Sequence, residues 1–131
     1  MKAFFHFQTI EISAVTGRTL RTGRELSLLL SAGRLGASVG DRHFSMHVND
    51  YLILGPYEEA RLFAHQEDAT AQAFVLRMDW DTLAEAGADG EDLLSPFSAG
   101  SLAHNRLIPA TNNTNLLIRN FFRSLQRGSK L

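Results

Sequence analysis

Apolar and polar positions alternate with a period of two along most of the chain up to Asp79. In Phe4 to Ser13, Phe5, Phe7 and Thr9 fall on one side and His6, Ile10 and Ile12 on the other, residue types suited to a pleated surface. Thr16 to Arg24 is polar and glycine-marked and reads as a loop. Glu25 to Ser31 is a short apolar run bounded by turn residues, the pattern of a strand covered on both faces. Leu35, Ala37 and Val39 then alternate with small residues up to a Gly40-Asp41-Arg42 turn. Phe44, Met46 and Val48 alternate with His43, Ser45 and His47, and Asn49-Asp50 makes the next turn. Tyr51 to Leu54 is a buried strand stopped by Gly55-Pro56, and Arg61 to Gln66 and Ala73 to Asp79 continue the series. Turn signals roughly every eight to twelve residues between short strands predict a β-sandwich or barrel.

The period then changes. Trp80, Leu83, Ala84 and Gly87 follow helical spacing, with Asp79 or Asp81 as N-cap and Gly87 as stop, which predicts a short helix near 80–87. Ala88 to Ser101 reads as a long loop anchored by Leu93, Leu94 and Phe97, and Leu102 to Ala110 as one more strand. The last element is a helix, for which Thr111, Asn112, Asn113 and Thr114 are all acceptable N-caps. At helical spacing Leu117, Ile118, Phe121, Phe122 and Leu125 share one arc, and Arg119, Arg123 and Arg127 lie opposite. Leu116 falls among the arginines, an apolar residue on the polar face. The predicted organisation is a β-barrel over 1–110, including the short helix, and a C-terminal amphipathic helix over 111–131.

Composition narrows the classes. The 131 residues are 44% apolar and 21% charged, one domain with enough apolar material for a core. Thirteen basic against 14 acidic residues give a net charge of −1, which argues against a chain that holds DNA or an acidic membrane by charge alone. No apolar run is long enough for a membrane-spanning helix, and the N-terminus turns polar too soon for a signal peptide. The absence of cysteine excludes disulfides, thiolate zinc sites and a cysteine nucleophile, and fits a cytoplasmic protein.

Few residues advertise chemistry. His43 and His47 would form a metal pair on a helix, but on a strand they stand about 13 Å apart at about 3.3 Å per residue. They read as solvent-facing. His65 and His104 have no acid or histidine at ligand spacing. The acidic pairs Glu58-Glu59, Asp79/Asp81 and Glu91-Asp92 each have a local explanation in a turn, a helix start or a loop. There is no GxSxG, P-loop or GxGxxG sequence. Arg18, Arg21 and Arg24 lack interleaved aromatics and read as a solvated basic loop. No catalytic residue, metal site or cofactor is expected.

From Gly23 to Leu83 the sequence resembles the N-terminal effector-binding domain of AraC-type bacterial transcription regulators. The resemblance lies in Glu25-Leu26-Ser27-Leu28-Leu29-Leu30-Ser31-Ala32-Gly33 and the hairpin around Gly40-Asp41. It continues in Val48-Asn49-Asp50-Tyr51-Leu52-Ile53-Leu54-Gly55-Pro56 and in Ala73 to Asp79 followed by Trp80. It implies a mainly β fold, a cupin-like (jelly-roll) β-barrel followed by a C-terminal α-helix. Metal-binding cupins carry an HxH pair on one strand and a further His after the proline turn. Here Ser27-Leu28-Leu29 and Glu58-Glu59-Ala60-Arg61 stand in those places, so the resemblance implies no metal. Full-length regulators of this type continue into helix-turn-helix units that read DNA. With Leu131 as the last residue, the expectation is a sensing domain cut in the helical connector, without direct nucleic-acid contact.

By the same resemblance the partner is a small-molecule effector, a sugar or another metabolite, or else a regulatory protein. Arg34, His65, Gln72, Phe74 and Trp80 are the candidate ligand-binding residues; Gln72 and Phe74 share a strand face just before the matching Leu76-Arg77. The helix face Leu117, Ile118, Phe121, Phe122 and Leu125 is expected to form a homodimer by an isologous contact, the alternative being a monomer with this face folded onto its own barrel. Two further readings compete with the sensor: a small cupin enzyme, isomerase or dioxygenase, and a protein-interaction domain without a cavity.

Overall fold

Inward-facing Ile10 and Ile12 on the first strand set the frame of two antiparallel sheets closed around an apolar layer. A computed structural model describes residues 5–79, 106–116, 118–120 and 123. Its strands are β1 (Phe5–Ser13), β2 (Arg18–Arg21), β3 (Leu26–Ser31), β4 (Leu35–Val39), β5 (Arg42–Met46), β6 (Tyr51–Leu54), β7 (Glu59–Ala64), β8 (Thr70–Met78) and β9 (Leu107–Ile108). A 3-10 turn at Gln66–Asp68 links β7 to β8, and residues 113–116, 118–120 and 123 are helical. One sheet has the order β1-β8-β3-β6-β9, the other β2-β7-β4-β5. The fold is mainly β with a short C-terminal helix.

Alternation decides which residues meet between the sheets. Leu29, Leu52, Leu54 and Val75 from the five-stranded sheet face Leu35, Met46 and Leu62 from the four-stranded one, all buried in one cluster. The outer face of the four-stranded sheet is polar, with exposed Thr19, Gly36, His43, Ser45 and Arg61. The five-stranded sheet is apolar on both faces. Its outer side carries Leu26, Leu28, Tyr51, Ile53, Leu76 and Met78, against which Ile108 and Ile118 pack. This double burial is why ELSLLLS and YLIL read as unbroken apolar runs.

The structure departs from the sequence expectations in three places. Within the expected loop Thr16 to Arg24, residues Arg18–Arg21 form β2, paired to β7 from Arg18↔Leu62 to Arg21↔Glu59. Only Leu20 of the four is buried, so no periodicity marks the strand; pairing with β7 creates it. The strand holding Phe44 and Met46 ends at Met46, and Val48 is 53% exposed in a turn. Asp50 stops it there, its Oδ2 accepting the His47 amide at 2.9 Å while its own amide donates to the His47 carbonyl at 3.0 Å. Of Leu102 to Ala110, residues 107–108 are strand, stopped by Pro109, and 102–105 lie outside the described residues. So do the predicted helix over 80–87 and the loop over 88–101.

Among the four acceptable caps, Asn112 takes the role: its Oδ1 accepts the Thr114 amide at 2.8 Å as the helical residues begin. No helix among the described residues is long and apolar enough to cross a membrane.

Candidate functional site

Antiparallel register brings the start of β4 and the ends of β5 and β7 together, with Leu35 opposite both Met46 and Ala64 and Gly36 opposite both Ser45 and Phe63. Because Leu35, Met46 and Ala64 point into the core, Gly36, Ser45 and Phe63 face outward. Gly36 has no side chain to fill the space between its neighbours. The result is an open cleft of about 480 Å³ around Gly36, walled by Ser45, His47 and Phe63 and reached by Arg34, His65 and Gln66. Its size lies in the range of small-molecule sites.

The cleft's polar groups are mostly donors. His65 leads into the 3-10 turn, its Nδ1 accepting the Glu67 amide at 3.2 Å. That bond places the ring proton on Nε2, leaving a donor for a ligand. The His65 amide donates to the Arg34 carbonyl at 3.1 Å, which fixes the two residues side by side. The Arg34 guanidinium is oriented by Asp68 through Nε at 3.0 Å and Nη2 at 2.7 Å, with Glu67 at 3.7 Å. Hydrogen bonding to Arg34 holds the Asp68 carboxyl below its ordinary value, and Asp68 in turn raises Arg34. Arg34 Nη1 carries no bond to any described residue. His47 stands 3.6 Å from Asp50 through Nδ1.

Of the residues the sequence singled out, Arg34 and His65 come together here. Gln72 and Phe74 do share a face of β8, but it is the outer face of the opposite sheet, where Phe74 packs beside Leu76 and Leu30 and Gln72 is exposed. They do not join the cleft. Trp80 lies outside the described residues, as do Leu117, Phe121, Phe122 and Leu125. Ile118 is fully buried within the chain, against the outer face of the five-stranded sheet, and Leu116 is 57% exposed. His43 is exposed on β5, bonded to Ser38 at 2.7 Å, and His47 is exposed just beyond that strand.

Sequence reasoning missed Gly36, Ser45, Met46 and Phe63. The available signal was Gly36 itself, a glycine on the outward face of the Leu35-Ala37-Val39 strand, since glycine within a strand commonly marks a site of close approach. It also missed the partner of Glu58. Arg106, 7% exposed, closes on Glu58 with two bonds of 2.8 Å and donates to the Ile53 carbonyl at 2.7 Å. Glu58 Oε1 also accepts the Gly55 amide at 2.6 Å, and Thr22 ties the same turn through Gly55 O at 2.6 Å.

The sequence matches no protein-family model and no curated protein. Among solved structures the chain is similar to a cupin protein from Bacteroides fragilis, with TM-score 0.53 and 9% identity over 63% of this chain and 71% of that one. It is similar to a Photorhabdus luminescens protein with TM-score 0.53 and 15% identity, over 71% and 72% of the two chains. It also resembles the iron(II) form of HppE, with TM-score 0.50 and 8% identity, over 56% of this chain but 42% of that one. Identities this low carry the fold alone: a cupin-like jelly roll.

Inside the barrel the side chains are those of a packed apolar core. Leu29, Leu52, Leu54, Leu62 and Val75 face the interior without a nitrogen or oxygen donor, and the fully buried Ser27 on the same side of its strand adds one unpartnered hydroxyl, short of a ligand set. Glu58, after the proline turn, is taken up by Arg106 and the Gly55 amide. Among the described residues no three His, Asp or Glu side chains gather at metal-binding distance. These residues do not fit a metal.

Proposed function

We propose that this chain is the ligand-sensing module of an AraC-type transcription regulator, acting by binding and not by catalysis. The observation that carries the reading is the cleft over Gly36, which combines the apolar ring of Phe63 with donors at Arg34, Ser45 and His65. The sequence resemblance and the cupin-like fold support the same reading. The ligand is a small metabolite such as a sugar, bound from the outer side of the four-stranded sheet while the interior stays packed. The module works in the cytoplasm as a homodimer. The dimer contact is the arc of Leu117, Phe121, Phe122 and Leu125, and Phe121→Asp or Leu125→Asp is expected to convert dimer to monomer in sedimentation. Ile118 of the same arc packs on its own barrel, so a monomeric wild type would assign the whole arc to that barrel.

The test is thermal stabilisation by a panel of sugars and other small metabolites, run on wild type and Gly36→Trp. A Cβ at Gly36 meets only the Phe63 carbonyl, at 4.0 Å, so a side chain can begin there without overlap, and tryptophan is chosen for its bulk over the cleft. A compound that raises the wild-type melting temperature and leaves Gly36→Trp unmoved supports the reading, since ligand shifts stability by mass action. No active compound, or equal shifts in both proteins, overturns it. A second reading, a protein-interaction domain, is favoured by the packed interior; capture of a protein partner that survives Gly36→Trp distinguishes it.

A further inference from the structure

The turn between β5 and β6 has two employments. Its first residue, His47, walls the cleft together with Ser45 and Met46. Its last, Asp50, is 5% exposed and holds two separate parts of the chain with one carboxylate. Oδ2 accepts the His47 amide at 2.9 Å, and Oδ1 accepts the Ala110 amide at 2.9 Å. Between them Asn49, in the left-handed region at φ 71°, offers its carbonyl to Asn115 Nδ2 at 2.9 Å. Asn115 is fully buried, also donates to the Ile108 carbonyl at 3.1 Å, and lies three residues before Ile118, which packs on the sheet. Both hydrogen-bonded anchors of the helical segment at this end are therefore in the turn that begins at the cleft-lining His47. The other end is held independently by the Arg106–Glu58 pair.

We infer that the His47–Asp50 turn couples occupancy of the cleft to docking of the helical segment that follows Pro109, described over 110–116 and 118–120. If the segment leaves, Asp50 loses the Ala110 donor and Asn49 loses Asn115. The turn keeps its own bonds and those to Ser31, whose carbonyl accepts the Asn49 amide at 2.8 Å and whose amide donates to the Asp50 carbonyl at 3.0 Å, and His47 is held less firmly. A molecule that needs His47 in place therefore binds the docked form better. Coupling of this kind is reciprocal, so a filled cleft holds the segment down. The inference takes the cleft to be the binding site and adds how its state reaches the rest of the chain.

The test needs no natural ligand. The chain has no cysteine, so Ser45→Cys creates a single thiol in the cleft wall, to be modified with benzyl methanethiosulfonate. Hydrogen exchange is then followed at Ala110 and at Ile53, whose amide donates to the Arg106 carbonyl at the independent clamp. Modification should slow exchange at Ala110 by about fivefold or more, the low end of typical site-to-site coupling, and leave Ile53 unchanged. In Asp50→Asn the amide cannot accept from both backbone groups at once, and the effect at Ala110 should vanish. Should that variant not fold, Asn115→Ala removes the Asn49 link, together with the bonds to Ile108 and Arg119, while Asp50 keeps Ala110, and it must shrink the effect. Unchanged exchange at Ala110, equal slowing at Ile53, or an undiminished effect in the folded variant overturns the inference. Failure of the metabolite panel alongside a positive result here would reject the proposed sensor and keep the coupling.

Discussion

Arg106 and Glu58 meet through two parallel bonds of 2.8 Å, joining the segment that precedes β9 to the turn between β6 and β7. The guanidinium side chain is 8% exposed and the carboxylate 28%, so this pair is largely removed from water. Removing one member leaves the other charge without its partner in a poorly solvated place. Arg106→Ala is expected to lower stability by about 3 kcal/mol. Arg106→Lys keeps the charge but not the fork that serves both oxygens and Ile53, and recovers part of the loss. Urea denaturation of the two variants and Glu58→Ala checks this, and the double variant should cost less than the sum.

The interior of the sandwich is equally sensitive to lost volume. Leu29 lies at its centre with no exposed surface. Leu29→Ala is expected to cost about 2–5 kcal/mol, as for other buried leucines. Val15, 87% exposed, is the control: Val15→Ser should stay within about 0.5 kcal/mol.

Two glycines with positive φ should respond differently to a side chain. Gly17 has φ +68°, and a Cβ there would sit 2.6 Å from Phe63 Cε1 and 2.7 Å from the Leu62 carbonyl. Gly40, in the β4–β5 turn, has φ +61° and open space around it. Gly17→Ala is expected to destabilise by more than about 1 kcal/mol, combining strain and overlap. Gly40→Asn should cost a few tenths, because asparagine tolerates the left-handed region. Paired thermal melts separate the two.

Acid should weaken the fold through Glu25 and Asp68. Burial pushes the Glu25 carboxyl up, but the Gly23 amide, its own amide and Arg77 together outweigh that and bring it below its ordinary 4.5. Asp68 is lowered from 3.8 chiefly by Arg34. A carboxyl with a depressed native pKa contributes fully above its unfolded value and loses that contribution as pH falls through the native one. Stability is thus expected to decline as pH drops below about 4.5, and the decline should be shallower in Glu25→Gln and in Asp68→Asn. Urea midpoints from pH 6 to pH 3 test the sign; an unchanged slope in both variants would refute it.

The helical segment offers a direct contrast between neighbouring positions. Ile118 has no exposed surface and Leu116 is 57% exposed. Ile118→Asp places an unpaired carboxylate among Leu28, Ile53 and Leu76 and is expected to unfold the protein or detach the segment. Leu116→Asp should leave the melting temperature nearly unchanged. Circular dichroism with size-exclusion chromatography distinguishes detachment from unfolding.

Much of the fold was legible in the sequence because period-two alternation marks β1, β4, β5, β7 and β8, unbroken apolar runs mark β3 and β6, and Gly, Asn and Asp turns separate them. β2 was not, since Leu20 alone among its residues is buried and one apolar position sets no period. The site was legible only in part. Arg34 and His65 stand out as polar residues at strand ends, yet the cleft arises from register: Gly36 meets Ser45 and Phe63, residues far apart in the chain. Gln72 and Phe74 show another limit. Alternation correctly puts them on one face, but the five-stranded sheet is apolar on both sides, and a pattern of that kind does not distinguish inside from outside.

That two-sided sheet also bears on how the chain is made. Its central strands, β3 and β8, precede Arg106 and Ile118 by dozens of positions, so a ribosome releases the outer surface before the residues that cover it. Until Ile108 and Ile118 arrive, Leu26, Leu28, Ile53 and Leu76 present a greasy patch to the cell. Synthesis of this chain therefore passes through a stage at which aggregation and chaperone capture compete with completion, and slow translation near residue 100 would prolong it.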